Sequence, residues 1–475
     1  MKTQKTIAII GAGVSGLSAG AALAKRGYRV KVFEANSFLG GCCSNVTVDG
    51  YTFNNGAMAV IMPSMLEFVF RKLGVERASV LPWKKITAPQ ASIIGDEVVT
   101  IKDGGEVLFE KEKQAEAGAR SGISSLLGRW EDVYQILQEE LFLKSFSAGR
   151  FASRMAKHLP KFGGTVLNEL GRLIKNENLR AALLGLLSYS GESPEKLPNA
   201  TVVAIVSALK DGYYLPEKGM GQIPEALAGV LRSYGGEIEL NARVKRIWVR
   251  GKRGLEFENG EFFEADEIVS SASGMLTFGK LMAEEDTPAS MRCKAENVKL
   301  SMKGFTVQIG TRQKATTNNF LTYVIPPLRE TNDHYVSNGR SQYGIFGVPT
   351  VALPDLAPAG TSVLEIGYTI PSNMPLSRWT DEETERVAND ALEMTRRYVD
   401  FDIAVKRVRS PRQFQEQLNL HEGAIYGISP LTGIFGFFPQ KPPIPGLYLT
   451  GQTTFPGFGA TPAAVSGILL VERYF

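Results

Sequence analysis

A chain of 475 residues is long enough for two substantial domains with large apolar cores. With 53 Lys+Arg against 49 Asp+Glu the net charge is only +4, too balanced for a protein built to hold nucleic acid. Cys42, Cys43 and Cys293 do not make a disulfide framework and point to a reducing cytoplasm, and three histidines (His158, His334, His421) argue against a histidine-based metal site, so no metal is expected.

Residues 7–10 form a buried-strand run. The turn Gly11-Ala12-Gly13-Val14-Ser15-Gly16 follows. Residues 14–27 then read as a helix and 28–33 as a second strand, which ends at Glu34. This arrangement binds a dinucleotide. Gly11 allows the tight turn, Gly13 lets the backbone approach a pyrophosphate, and Gly16 lets the helix pack closely on the sheet. The helix N-terminus offers N–H groups to phosphate. Glu34 can accept hydrogen bonds from both hydroxyls of an adenosine ribose, and its charge disfavours the 2′-phosphate of NADP. A nicotinamide dehydrogenase would normally run from this acid into another helical crossover. Here Ala35 leads to a second glycine turn, Gly40-Gly41-Cys42-Cys43, and then to Gly50, Asn54, Gly56 and Ala57. A second turn so soon returns the chain to the pyrophosphate. Cys42-Cys43 reads either as a vicinal dithiol or, the preferred reading, as two small residues near a phosphate.

Further along, residues 98–109 alternate around Asp103-Gly104-Gly105 as a hairpin, and 130–187 are helical, broken at Pro160 and Gly163-Gly164. Around 144–161, Phe142, Phe146, Phe151, Met155 and Leu159 recur at helical spacing, with Arg150, Arg154, Lys157 and Lys161 largely on another face. Such a helix lies in an anionic membrane interface or presents a solvated basic face, and both readings stay open. Residues 250–268 read as short strands, and 303–310, 343–348 and 362–369 as strands of a sheet floor. Residues 380–398, opening Thr-Asp-Glu-Glu, read as a capped helix. Near the end, 444–452 is a strand closing in a glycine turn at Gly451-Gln452. Gly459-Ala460-Thr461-Pro462-Ala463 then opens an apolar helix, with Pro462 suited to the first turn. His421-Glu422 precedes the Gly423–Gly427 motif, so His421 reads either as a residue near the active site or, the preferred reading, as one at the surface or satisfied in the core.

The Gly40-Gly41 turn and the stretch 50–56, with Asn54 where an Asp is common, resemble the FAD-binding amine oxidase superfamily. Three further segments narrow the likeness: Tyr214-Leu-Pro-Glu-Lys-Gly219-Met220-Gly221, Asn419 with Gly423 and Gly427, and Gly451 with Phe455-Pro456-Gly457. They are similar to the phytoene desaturase, carotenoid isomerase and retinol saturase-like flavoproteins. Gly-Gly-Cys-Cys at 40–43 stands nearer to the saturase and isomerase branches than to the Gly-Gly-Arg of the desaturases.

The resemblance implies an α/β fold: a Rossmann-type FAD-binding domain, glutathione reductase-like with a parallel sheet, interleaved with an α+β substrate domain. The first would comprise 1–95, 205–290 and 415–475, and the second 96–204 and 291–414. FAD would be held by Gly11, Ala12, Gly13, Val14, Ser15, Gly16, Glu34, Ala35, Gly40, Gly41, Cys42, Gly56 and Ala57. Val244 would meet the adenine, Gln452 a ribityl hydroxyl, and Gly451, Gly459, Ala460, Thr461 and Ala463 the flavin. There the last helix would aim its N-terminus at the flavin's pyrimidine end.

The implied activity is an oxidoreductase on carbon–carbon bonds of a long hydrophobic isoprenoid. It would desaturate, saturate or isomerise by hydride transfer at flavin N5, with no catalytic side chain assigned and the electron acceptor or donor left open. Phe435, Phe437, Phe438, Phe455 and Phe458 are channel-wall candidates or core aromatics. The alternative is an amine oxidase, whose site carries an aromatic pair facing the flavin and a lysine near N5; neither is assignable from the sequence. A hydrophobic small-molecule substrate and no nucleic acid are expected. So is a cytoplasmic location, with peripheral contact on the inner face of the membrane through 144–161.

Overall fold

In the computed structural model the described residues are 4–88, 90–143, 147–190, 192, 196–325 and 344–475; for 141–143, 148, 189 and 434 only the backbone is described. Lys144, Phe146, His334 and Tyr343 therefore lie outside the described residues, as does the side chain of Phe142.

The strand Thr6–Ile10 pairs in parallel with Arg29–Phe33 on one side and with Glu267–Ser270 on the other. Glu237–Glu239 and Leu447–Leu449 complete a five-stranded parallel sheet. The sheet is Rossmann-type, and its order reverses direction at the first strand. In such a sheet the carboxyl ends of the strands on either side of the reversal diverge and leave a crevice. That crevice opens beside Gly11 and Ser271, which follow the first strand and the strand Glu267–Ser270. The helix Val14–Lys25 covers one face and packs against Gln222–Ser233 and the final helix Ala460–Tyr474. Gly16 is required for this: a Cβ there would sit 2.1 Å from the Gly11 carbonyl oxygen.

A second sheet has eight strands. Lys303–Thr311 runs between Ile403–Arg409 and Val363–Ile370, all antiparallel, and the order continues through Gly344–Gly347, Leu321–Ile325, Gln90–Ile94, Glu97–Ile101 and Val107–Phe109. Residues 90–94, grouped above with the nucleotide-binding pieces, are hydrogen-bonded into this sheet beside Leu321–Ile325. The short pair Trp83–Ile86 with Tyr213–Pro216 carries the chain between the two regions.

The helical part begins earlier than the apolar periodicity indicated. Glu116–Leu137 is one helix, because polar residues at 116–129 occupy its outer face while Ala119, Ile123 and Leu126 point inward. The expected breaks fall where proline and glycine stand: Pro160 lies in a 3-10 segment, Ala156–Phe162, and Gly163-Gly164 precede Val166–Leu173. Thr380 caps Asp381–Arg396 by accepting from the Glu383 N–H.

The described basic residues of 144–161 have partners. Arg150 pairs with Glu140, and Arg154 with Glu139 and Glu140. Lys157 lies 3.5 Å from Asp132, and Lys161 donates to the Arg129 carbonyl. Among the described residues no helix is long and apolar enough to cross a membrane.

Candidate functional site

One cavity of about 920 Å³ begins at the crevice of the parallel sheet and runs into the helical region. Gly11, Gly13, Val14, Ser15, Glu34, Ala35, Gly40, Gly41, Cys42, Gly56, Ala57, Val244, Gln452, Gly459, Ala460, Thr461 and Ala463 all line it. Three other residues singled out by the motifs stand behind the wall. Ala12 is buried and presents its N–H to Glu34, Gly16 is spent on helix packing, and the Gly451 N–H donates to Ser466 Oγ.

The two glycine turns are tied together. The Gly40 N–H donates to the Ala12 carbonyl at 2.9 Å, and Gly13 and Gly40 form an isolated parallel bridge. The third piece follows, since the Ala57 N–H donates to the Cys42 carbonyl at 3.0 Å. Glu34 is clamped at the rim: Oε2 accepts from the Ala12 N–H at 2.8 Å and Oε1 from the Asn36 N–H at 2.9 Å. Each carboxylate oxygen keeps a further lone pair for a hydroxyl.

The geometry suits a dinucleotide carrying phosphate. A Cβ on Gly13 would come no nearer than 3.8 Å to its neighbours, so the glycine leaves open space in the cavity. Val14–Lys25 and Ala460–Tyr474 both begin at the wall. Neither has a side-chain cap or an acid in its first turn, so each leaves its N-terminal partial charge for a ligand.

Cys42 and Cys43 lie on a 3-10 turn, Gly41–Cys43, and are packing residues. Burial pushes their thiols up to about 11 and about 12, so neither is a thiolate at neutral pH.

Ionisable groups are segregated along the cavity. Glu34, Arg243, Lys245, Glu258 and Lys280 all belong to segments joined at the strand that begins at Val244: the Ala242 N–H donates to the Glu34 carbonyl, the Glu258 N–H to that of Arg243, and Thr277–Leu281 packs on the strand. Among the described residues, no Asp, Glu, Lys or Arg lines the rest of the wall. There Met58, Ile61, Met65, Leu187, Val203 and Ala204 give an apolar surface.

Of the five phenylalanines offered as channel walls, only Phe458 lines the cavity. Phe435 is 87% exposed, and Phe438 is buried with its ring 5.7 Å from that of Phe278. A feature missed in the sequence appears instead: Tyr426 and Phe458, both on the wall, meet with ring centroids 5.1 Å apart. They come from separate loops, and the only signal was an aromatic within each glycine motif. Lys303 is buried, does not line the cavity, and pairs with Glu422 at 3.3 Å. His421 lines the cavity half-buried, the less favoured of its two sequence readings, because the turn that precedes Gly423 folds over the strand Lys303–Thr311.

The flavin containing amine oxidoreductase family matches residues 14–473 of this chain. The chain is 26% identical to a zeta-carotene-forming phytoene desaturase of Myxococcus xanthus, across 99% of this chain and 93% of that protein. It is 24% identical to a 4,4'-diapophytoene desaturase (4,4'-diaponeurosporene-forming) of Staphylococcus aureus, across 98% of both. Among solved structures, an oxidoreductase from Methanosarcina mazei is similar with a TM-score of 0.65 at 16% identity, covering 98% of this chain and 100% of that one. Putrescine oxidase bound to putrescine is similar with a TM-score of 0.62 at 14% identity, covering 99% and 98%.

Proposed function

The chain belongs to the flavin containing amine oxidoreductase family and is an FAD-dependent oxidoreductase; from that premise we propose that it acts on carbon–carbon bonds of a long, hydrophobic isoprenoid. FAD, when bound, supplies a two-electron hydride acceptor or donor. It would be held by residues of the cavity wall: Glu34 at the ribose and Val244 at the adenine, the uncapped start of Val14–Lys25 with Gly40–Cys42 at the pyrophosphate, and Gln452 with the start of the last helix, Gly459–Thr461, toward the flavin.

The observation that carries the substrate reading is the segregation of charge. Beyond the nucleotide end the described residues of the wall offer methionine, leucine, valine and alanine and no acid for a cationic substrate. Such a wall can hold an apolar chain in line and exclude water, and positioning is most of what an unactivated carbon–carbon bond requires. The desaturases it resembles over nearly their whole length support the same reading. Desaturation is the direction favoured by those names. Anaerobic mixing with an acyclic polyene should bleach the oxidised flavin and shift the polyene absorbance. No change in either, together with bleaching by a small amine, would overturn the reading.

The second reading, an amine oxidase, is favoured by the Tyr426–Phe458 pair alone. The lysine it calls for has a candidate in Lys303, but that side chain is turned to Glu422 and away from the cavity wall.

Location follows as part of the proposal: cytoplasmic, with substrate drawn from the inner face of a membrane. Leu159, 64% exposed on the stretch after the basic helix and near Lys157, supports such a contact. Sedimentation with anionic liposomes tests it, and protein that stays in the supernatant at low salt rules it out.

A further inference from the structure

We infer that His421 is the proton acceptor in the desaturation proposed above, a role that rests on that reading of the substrate. Forming a double bond removes two hydrogens from adjacent carbons. One leaves as hydride with its bonding pair, to oxidised FAD. The other leaves as a proton, and its bonding pair becomes the new π bond. The substrate loses two electrons, FAD gains two, and one proton must be received by a group on the wall and passed to solvent.

Among the described residues the wall leaves few receivers. Its lysines and arginines are cations with no lone pair for a proton, Glu34 is taken up by the Ala12 and Asn36 N–H groups, and Glu258 is turned to solvent. Cys42 and Cys43 hold their protons. Phenols ionise near pH 10, and burial pushes those of Tyr134, Tyr213 and Tyr368 higher still. His421 remains. Burial first, and then the nearby Lys303 charge, lower its pKa from the ordinary 6.5, while Glu422 acts the other way. The imidazole is therefore neutral at pH 7, with one nitrogen free to take a proton, and Glu422 stands beside the cation that would form. The groups acting on it are Glu422 on its own turn and Lys303 on the adjoining strand.

Its position is fixed by the fold. His421 begins a 3-10 turn that leads into Ala424–Gly427, a continuous stretch of the wall that includes Tyr426. Left-handed backbone is imposed on both sides, at Asn419 (φ 54°) and Glu422 (φ 53°), conformations that cost a non-glycine residue and gather at functional sites. The turn is held by the Glu422 N–H donating to Gln415 Oε1 at 3.0 Å and by Lys303 on the Glu422 carboxylate. At Gly423 a Cβ would meet the Pro411 carbonyl oxygen at 2.5 Å, so this turn cannot relax by swelling.

The test uses the FAD-loaded protein in two arms. In the first, anaerobic mixing with polyene should show His421→Asn and His421→Gln bleaching at least about 100-fold more slowly than wild type, with flavin content and spectrum unchanged and partial rescue by added imidazole. The wild-type rate should fall on acidification below pH 6.5, and that dependence should vanish in the variants. In the second arm, nitrogen-15 histidine spectra of the wild type are assigned by elimination with His158→Gln and His334→Gln. The His421 signals should titrate below 6.5 and shift when a saturated, unreactive isoprenoid is added. Variants that bleach at the wild-type rate, or a His421 signal that ignores the saturated isoprenoid, overturn this role and leave the substrate reading standing. A wild type that no polyene bleaches overturns both.

Discussion

Asn54 donates to Glu365 twice, from its backbone N–H to Oε1 at 2.6 Å and from Nδ2 to Oε2 at 3.1 Å. The residues lie 311 positions apart, one just before Gly56 on the cavity wall and the other on the strand Val363–Ile370. Asn54 Oδ1 in turn accepts from the Met220 N–H at 3.1 Å. An amide uses both of its ends here, and an aspartate would set carboxylate against carboxylate.

Burial pushes the Glu365 carboxyl up from 4.5 to about 7, against the opposing pull of the Asn54 donors and of Arg407 and Arg409. A carboxyl raised in the folded state binds its proton there more tightly than in the unfolded chain. Its stabilising contribution is full below pH 4.5 and declines as pH rises to about 7, by about 3 kcal/mol for a shift of this size. Glu365→Gln should flatten that part of the pH profile. Urea unfolding of both proteins at pH 5 and pH 8 checks it, and parallel profiles would discard the assignment.

FAD should be held without a covalent bond. No thiolate is available at Cys42 or Cys43, and acid precipitation should leave yellow flavin in the supernatant. Flavin retained in the pellet would contradict this.

Glu34→Ala removes an acceptor for the Ala12 and Asn36 N–H groups as well as for the ribose. Charge-assisted hydrogen bonds contribute about 1.5–3 kcal/mol each, so FAD affinity should fall at least about 100-fold. Titration of apoprotein with FAD, followed by flavin fluorescence, measures the loss. An unchanged dissociation constant would mean that the ribose sits elsewhere.

Ala204 and Ala208 are four residues apart on the helix Val202–Lys210, and both line the cavity. Ala204→Trp and Ala208→Trp should narrow the apolar reach without touching the nucleotide end. The expected outcome is intact flavin absorbance with polyene turnover reduced at least about 10-fold, a loss of nearly 1.4 kcal/mol in transition-state binding. Steady-state rates on long and short polyenes separate a blocked tunnel, which spares the short ones, from a general defect.

Gly16→Ala places a methyl group against the Gly11 carbonyl oxygen and Ser271. Backbone cannot move aside cheaply, and overpacking of this kind costs about 1–3 kcal/mol. Thermal unfolding should show a lowered midpoint in apoprotein and holoprotein alike.

The crevice of the parallel sheet was legible because its demands fall on backbone. A turn that needs left-handed φ, an approach that forbids Cβ and an acid at a strand end each leave a residue type at a fixed spacing, and Gly11, Gly13, Gly16 and Glu34 display them. Meetings between distant segments were not legible. Tyr426 meets Phe458 and Glu365 meets Asn54 only through tertiary folding, with no local pattern to mark the meeting. The ion pairs of the basic helix were hidden in a related way: Arg150 and Arg154 have their acids, Glu139 and Glu140, ten to fifteen residues away and not at the i, i+4 spacing that a sequence displays.

The bridge between Gly13 and Gly40 bears on how such a chain can be cut and reused. A fragment ending at Glu34 would contain the whole recognisable signature, yet the second turn that closes on it would be missing. Grafted into another protein, that fragment would transfer a motif without its grip. The smallest such module here runs from the first strand to Ala57 and still borrows Val244, Gln452 and the start of the last helix from elsewhere in the chain, so gene fusions or splits within this span should yield proteins that carry the signature without the site.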